Sequence, residues 1–304
     1  LNSAKANFDS IYTFPDPREY YRVLYGLDYI IPDLAKPVIR GLIASLRYHT
    51  GRSLKVLDVG CSYGINAALT RYPFDLARLA RRYGSPEMNK QDSASLMRLD
   101  RHYFCSWPST CDARFIGLDS SEPALHYALN AGLLDAAVSA NLEHCDPTPR
   151  EAAVLEDVDM VISTGCVGYV TERTFRRVLG QQKKGRVPWV VNFVLRMFPY
   201  TPIEEELSRF GLVTEKLQGV TFVQRRFHSE AEATGTLQLL DRRGIDVTGK
   251  EAEGLLHAEL YVSRPAKWVE RVPLHKLVSV TSGAGRRYGR RYARQGHAEL
   301  SLVH

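Results

Sequence analysis

Between Leu54 and about Pro265, short β-rich apolar runs alternate with longer stretches whose apolar residues recur at helical spacing. That alternation is the pattern of a single α/β sheet. Lys55–Val59, Arg114–Leu118, Ala136–Ala140, Asp159–Ser163 and Pro188–Leu195 read as successive strands, and Val220–Arg226 with Ala258–Val262 as a late pair. Ile65–Tyr72 reads as the helix behind the first strand. Ser120-Ser121-Glu122-Pro123 opens a helix that stops near Gly132, and Thr171 caps the helix TERTFRRVL. Thr201-Pro202-Ile203-Glu204 reads as a capping box for a helix from Pro202 to about Arg209, stopping by Gly211.

Three segments fall outside this alternation. Residues 1–50 are aromatic-rich and helical in pattern, with Tyr12, Phe14, Tyr20, Tyr21, Tyr25 and Tyr29 close together. Residues 73–112 are inserted between the first helix and the second strand, and read as two amphipathic helices with an irregular connector. The third segment is the tail after Pro265. The expected organisation is an N-terminal helical lid over 1–50, a core over 51–265 carrying the 73–112 insertion, and an extension over 266–304 with a basic tail.

Composition changes this picture little. The 304 residues are 44% hydrophobic and 24% charged, which suits a globular protein with a sizeable core and excludes disordered and fibrous classes. The net charge of +6 is local: Arg286, Arg287, Arg290, Arg291 and Arg294 against Glu299 place +4 of it within 283–304. A nearly neutral body argues against a nucleic-acid partner, and the arginine-tyrosine tail is read as a solvated terminus. Five cysteines with no C-x-x-C pair point to a reducing compartment, and no signal peptide or membrane span is visible, so the expected location is cytoplasmic. His102, Cys105 and Cys111 lack metal-site spacing, and no metal is expected.

The informative run is Asp58-Val59-Gly60-Cys61-Ser62-Tyr63-Gly64, a strand ending in an acid and opening into small residues before a helix. Gly60 and Gly64 permit tight turning and close backbone approach, Ser62 is small enough for the same crevice, and open α/β sheets bind ligands at strand carboxyl ends. No G-K-[ST] follows, which excludes a P-loop. A dinucleotide site is the nearer competitor, but Asp58 would repel a pyrophosphate and suits the amino group of an amino acid.

Over roughly Leu54–Pro265 the sequence resembles the class I S-adenosylmethionine-dependent methyltransferases. Their acid-x-Gly-x-Gly-x-Gly motif is matched by Asp58, Gly60, Ser62 and Gly64, with Ser62 in place of the middle glycine. The resemblance implies a Rossmann-like, seven-stranded, mostly parallel sheet with a terminal antiparallel strand, and S-adenosyl-L-methionine as cofactor with S-adenosyl-L-homocysteine as product. It implies that this loop, including Cys61, wraps the methionine portion, that Asp119 beside Ser120 grips the ribose hydroxyls, and that Asn141-Leu142 meets the adenine. It also implies that Ser163-Thr164-Gly165 ends beside the transferred methyl. Asp119 follows Gly64 at unusually long range because of the 73–112 insertion.

Methyl transfer from a sulfonium is an in-line displacement, so the protein must align donor and acceptor and exclude water. Thr164-Gly165-Cys166-Val167-Gly168-Tyr169 is not N/D-P-P-[YFW], which argues against methylation of planar base amino groups. Three segments can reach the ligand face: the N-terminal segment, the loop Arg196–Tyr200 and the connection Phe227–His257. The insertion is expected to support the structure or an oligomer interface, and a homodimer stays open. Tyr20, Tyr21 and Tyr29 are candidate sulfonium-facing rings, by cation-π contact or simple packing. Tyr21 and His228 are candidate bases, His228 also readable as a solvated loop histidine. The expected acceptor is an O or N atom of a small metabolite, with natural-product tailoring as context; an RNA or protein acceptor, or a cofactor-binding protein without turnover, are the alternatives.

Overall fold

The structure, a computed structural model, describes residues 8–278, Val280, and the strands Arg291–Gln295 and Glu299–Val303. It is α/β and Rossmann-like. The strands are β1 Leu54–Val59, β2 Ala113–Asp119, β3 Ala136–Ser139, β4 Met160–Thr164, β5 Trp189–Leu195, β6 Leu212–Lys216, β7 Phe222–Arg226 and β8 Leu255–Pro265. They form one eight-stranded sheet in the order β3-β2-β1-β4-β5-β8-β6, with β7 also paired to β8. From β3 to β5 all pairs are parallel, and β8 enters antiparallel between β5 and β6.

The register explains why there are eight strands and not the seven expected. Tyr261 of β8 pairs with Asn192 of β5 and Lys216 of β6, while Ala258 pairs with Leu195 of β5 and Phe222 of β7. Both β6 and β7 therefore lie on the edge of β8 away from β5, running in the same direction. They are one strand position interrupted by residues 217–221. The segment Leu212–Lys216, half-exposed along most of its length, lacked the apolar run that marked its neighbours.

Every residue of β5 is buried, as expected of a central strand covered on both faces. The helix Ile31–Thr50 packs against β4, β7 and the helix Ile65–Arg71. Thr171 caps its helix as read from the sequence, and within Ser120-Ser121-Glu122-Pro123 it is Ser121 that caps the helix this run opens. The capping box at Thr201 does not form. The helix begins at Thr201 with Tyr200 at its N-cap and no side-chain cap, because Tyr200 is pinned: its ring stacks on Tyr261 at 4.1 Å and its hydroxyl accepts from Asn192 at 2.8 Å.

A second apolar cluster, rich in tyrosine, joins the N-terminal segment to the insertion. The insertion folds as helices Leu76–Tyr83, Pro86–Asn89 and Ser93–Cys105, two of them capped by Asp75 and Asp92. Buried Asp100 binds Arg82, Tyr83 and Tyr127, tying the insertion to the helix Glu122–Asn130 of the core. Tyr21 stacks on Tyr83 at 4.7 Å, and Arg18 donates to the carbonyls of Met88 and Gln91. The insertion thus buttresses the N-terminal helices. Of the basic tail, Arg291–Gln295 and Glu299–Val303 pair as an antiparallel ribbon, and residues 281–290 lie outside the described residues.

Candidate functional site

A cavity of about 460 Å³ opens at the carboxyl ends of the parallel strands, within the size range of ligand sites. Its floor is the loop after β1. Gly60, Ser62 and Gly64 all take positive φ, at 70°, 50° and 75°. Gly60 is required twice over, since a Cβ there would also lie 2.7 Å from the Cβ of Cys166. Ser62 adopts the left-handed conformation despite its Cβ, and this turns its amide onto Asp119 Oδ2 at 2.8 Å. Tyr63 reaches the other way: its hydroxyl lies 3.0 and 2.9 Å from the carbonyls of Ile11 and Phe14 and so holds the N-terminal segment over the site.

Asp119 ends β2 with Oδ2 on the Ser62 amide and Oδ1 on the Ser121 amide at 2.9 Å. Burial raises its proton affinity, and these amides, with that of Ser120, oppose the rise. Each oxygen keeps a lone pair toward a ligand. After β3, Asn141 lines the cavity with its Oδ1 already accepting from the Glu143 amide at 3.1 Å, so it is held in a local turn. Burial pushes the Glu143 carboxyl up, but hydrogen bonds from Thr171 and Thr174 outweigh it and hold the group below its ordinary value.

Of the residues singled out from sequence, Gly60, Cys61, Ser62, Asp119, Ser120, Asn141, Leu142, Thr164, Gly165, Tyr20 and Tyr29 line the cavity; Asp58, Gly64, Ser163, Tyr21 and His228 do not. Asp58 is fully buried one layer below. Asn66, a lining residue absent from the sequence reading, donates to Asp58 Oδ1 at 3.0 Å and to Thr164 Oγ1 at 3.0 Å, and Asp58 Oδ2 has no hydrogen-bond partner among the described residues. Burial, opposed by Asn66 and reinforced by Asp119, pushes the Asp58 carboxyl up to about 7. Gly64 caps the helix Ile65–Arg71, and Ser163 turns into the sheet to donate to Asn192 at 2.7 Å.

The two candidate bases are displaced for separate reasons. Tyr21 follows Tyr20 on the helix Arg18–Gly26, and the helical phase that sends Tyr20 into the cavity sends Tyr21 onto Tyr83. His228 is exposed, its ring edge-on to Phe8 at 5.4 Å and its amide bonded to Glu232. The roof comes from the N-terminal segment, which adds Phe8, Tyr12 and Thr13, and Ser121 donates to the carbonyl of Tyr12. Burial raises the hydroxyl pKa of Tyr12, Tyr20 and Tyr29, so these rings stay neutral. Neither Arg196–Tyr200 nor Phe227–His257 lines the cavity. The far wall is instead Gln224 and Arg225 of β7, which nothing in the residue pattern had marked.

No known family profile matches the chain, and no curated protein matches it. Among solved structures it is similar to precorrin-6y C5,15-methyltransferase from Geobacter metallireducens (13% identity, 74% of this chain and 88% of that one, TM-score 0.35). It is also similar to magnesium protoporphyrin IX methyltransferase from Synechocystis with bound SAM (11%, 74% and 77%, 0.36) and to the plantazolicin methyltransferase BpumL with SAH (12%, 84% and 93%, 0.39). At such identities and scores these likenesses carry no weight for function, which has to come from the site.

Proposed function

We propose that the protein is an S-adenosylmethionine-dependent methyltransferase acting on a small molecule. The observation that carries the reading is Asp119: a buried carboxylate at the end of β2, aimed by two backbone amides beside a loop of three left-handed residues. A bidentate acceptor there suits a vicinal diol. The surroundings fit the rest of such a cofactor. Gly60 and Ser62 leave room for close approach, Asn66 with Asp58 behind it suits an ammonium group, and Tyr12, Tyr20 and Tyr29 offer neutral ring faces to a cationic sulfonium.

When bound, the cofactor supplies an electrophilic methyl group on sulfur. The chain's own residues align and enclose: Asp119 would fix the ribose in the middle, the β1 loop the methionine end, and the N-terminal segment covers the site against water. The cavity walls favour a small acceptor, with natural-product tailoring as its context. Among the described lining residues Arg225 is the sole Lys or Arg, and it is paired to Glu232 through both carboxylate oxygens, which leaves nothing to read a phosphate backbone. We place the protein in the cytoplasm. All five cysteines are free thiols, and no helix among the described residues is long and apolar enough to cross a membrane.

Calorimetric titration with S-adenosylmethionine and S-adenosylhomocysteine tests the reading, followed by tritiated-methyl transfer to small acceptors. Micromolar binding is expected; a folded protein that binds neither would refute it. Asp58 adds a pH signature. Its value of about 7 in the folded, ligand-free protein lies above the ordinary 3.8, so its contribution to stability is present at low pH and is lost as pH rises through about 7. A ligand ammonium favours the ionised form. Binding of S-adenosylhomocysteine is therefore expected to release a fraction of a proton at about pH 6, seen by calorimetry in two buffers of different ionisation enthalpy, and none at about pH 8. Asp58→Asn should abolish the release. Equal proton release by wild type and variant would remove Asp58 from the site.

A further inference from the structure

Strand β7 carries a bulge. Phe222 and Val223 pair with Ala258 and His257, Arg225 and Arg226 pair with Leu256 and Leu255, and Gln224 is the extra residue with no partner across the ladder. In a regular strand neighbouring side chains alternate between faces, but here Gln224 and Arg225 both line the cavity. The backbone is fixed in this arrangement from outside. The Gln224 carbonyl accepts from the Ile30 amide at 2.8 Å, and the Arg226 amide donates to the Leu27 carbonyl at 2.8 Å.

Gln224 is 3% exposed, and its Oε1 has no hydrogen-bond partner among the described residues. A buried amide oxygen left unsatisfied is costly and calls for a reason. The opposite loop makes room for this side chain: a Cβ on Gly165 would lie 2.2 Å from Gln224 Nε2. Sheet order fixes which end of the cavity this is. Asp119 belongs to β2, toward the β3 edge, whereas Gly165 follows β4 and Gln224 lies on the other side of β5. A cofactor whose diol sits on Asp119 would therefore turn its reacting methyl toward Gly165, with Gln224 beyond it on the acceptor side.

The charges at that end are already balanced. Arg225 is bound to Glu232 at 2.8 and 2.6 Å, so the wall beside Gln224 presents no net charge to an anionic acceptor. No histidine is found among the described lining residues, Glu143 is held by four hydrogen bonds, and the buried tyrosines keep their protons. With Asp119 taken up by the diol and the Cys166 thiol donating to the Val59 carbonyl at 3.2 Å, a hydroxyl acceptor would lack a base to take its proton before attack. An uncharged amine needs none.

Resting on the methyltransferase reading, we infer that Gln224 is the acceptor-recognising residue, and that its Oε1 accepts a hydrogen bond from the N–H of a neutral, planar aromatic amine held among the N-terminal tyrosines. The nitrogen lone pair then faces the methyl carbon. The N–C bond forms as the S–C bond breaks, the electron pair stays on sulfur, and the proton of the resulting ammonium leaves to water. Gln224 orients and takes no proton.

The test uses aniline, N-methylaniline and N,N-dimethylaniline as probes, titrated into the full chain saturated with S-adenosylhomocysteine and followed by ligand-observed NMR. The wild type is expected to bind the two N–H probes about tenfold more tightly than the dimethyl probe, one neutral hydrogen bond's worth. Gln224→Met should erase that preference, leave S-adenosylhomocysteine affinity within about twofold, and keep or raise the melting temperature of the ligand-free protein, because an orphaned amide is removed. Gln224→Leu repeats the measurement with a shorter apolar side chain. No preference in the wild type, a preference that survives in the variants, or a fall in melting temperature or loss of folding in both would overturn the assignment, the last by making Gln224 structural. Failure of the parent reading looks different: the wild type would then not bind S-adenosylhomocysteine at all.

Discussion

Asp119→Ala is expected to abolish measurable binding of S-adenosylhomocysteine while the protein stays folded. The carboxylate would make two charge-assisted hydrogen bonds to a diol, each contributing about 1.5–3 kcal/mol, so affinity should fall by about 10²- to 10⁴-fold. Loss of the side chain also frees the Ser62 and Ser121 amides it now holds at 2.8 and 2.9 Å, which loosens the loop that carries the rest of the site. Asp119→Asn separates the two contributions. It keeps an acceptor oxygen but replaces the other with a donor, which faces one of the two amides, and an intermediate loss is expected. Titration calorimetry with circular dichroism as a folding control measures both. A change below tenfold in Asp119→Ala would remove the diol role and with it the main support for the cofactor.

Much of this arrangement was legible before the structure, for reasons that differ by residue. Strands β1, β4 and β5 are almost wholly buried and so carry mostly apolar runs, whereas β3 is buried only at Val138 and left a weaker trace; β1 ends in the acid-and-glycine loop, whose backbone demands left in the residue types a trace of the turn they make. Asp119 could be found because a strand, an acid and a capped helix follow one another. Long-range contacts left no such trace. Gln224 matters because one extra residue in β7 turns it inward, and a bulge has no residue signature in VTFVQRRF. Asn66 sits eight residues beyond Asp58 and shields it from the cavity, so the acid that anchors the motif acts through an amide that the motif does not contain. Tyr20 and Tyr21 are adjacent and chemically identical in sequence, and only the helix phase set by Tyr83 separates a cavity wall from a buttress.

The second large effect concerns the wall that supports Gln224. Arg225 and Glu232 are each about 2% exposed and joined by two short hydrogen bonds, and Glu232 also accepts from the His228 amide at 2.8 Å. Glu232→Leu would leave a guanidinium buried without its counter-charge. Removing one partner of a buried pair costs about 3–5 kcal/mol, which for a chain of this size lowers the melting temperature by about 5–8 °C. Replacing both partners, as Arg225→Met with Glu232→Leu, leaves no buried charge and should recover most of that loss. Differential scanning calorimetry of the two single variants and the double variant measures the coupling. If the double variant is as unstable as the sum of the singles, the pair does not act as a unit. If it recovers stability and still binds S-adenosylhomocysteine, the ion pair's task is to keep a long cation neutral at the acceptor end, so that the cavity meets its acceptor through an uncharged amide.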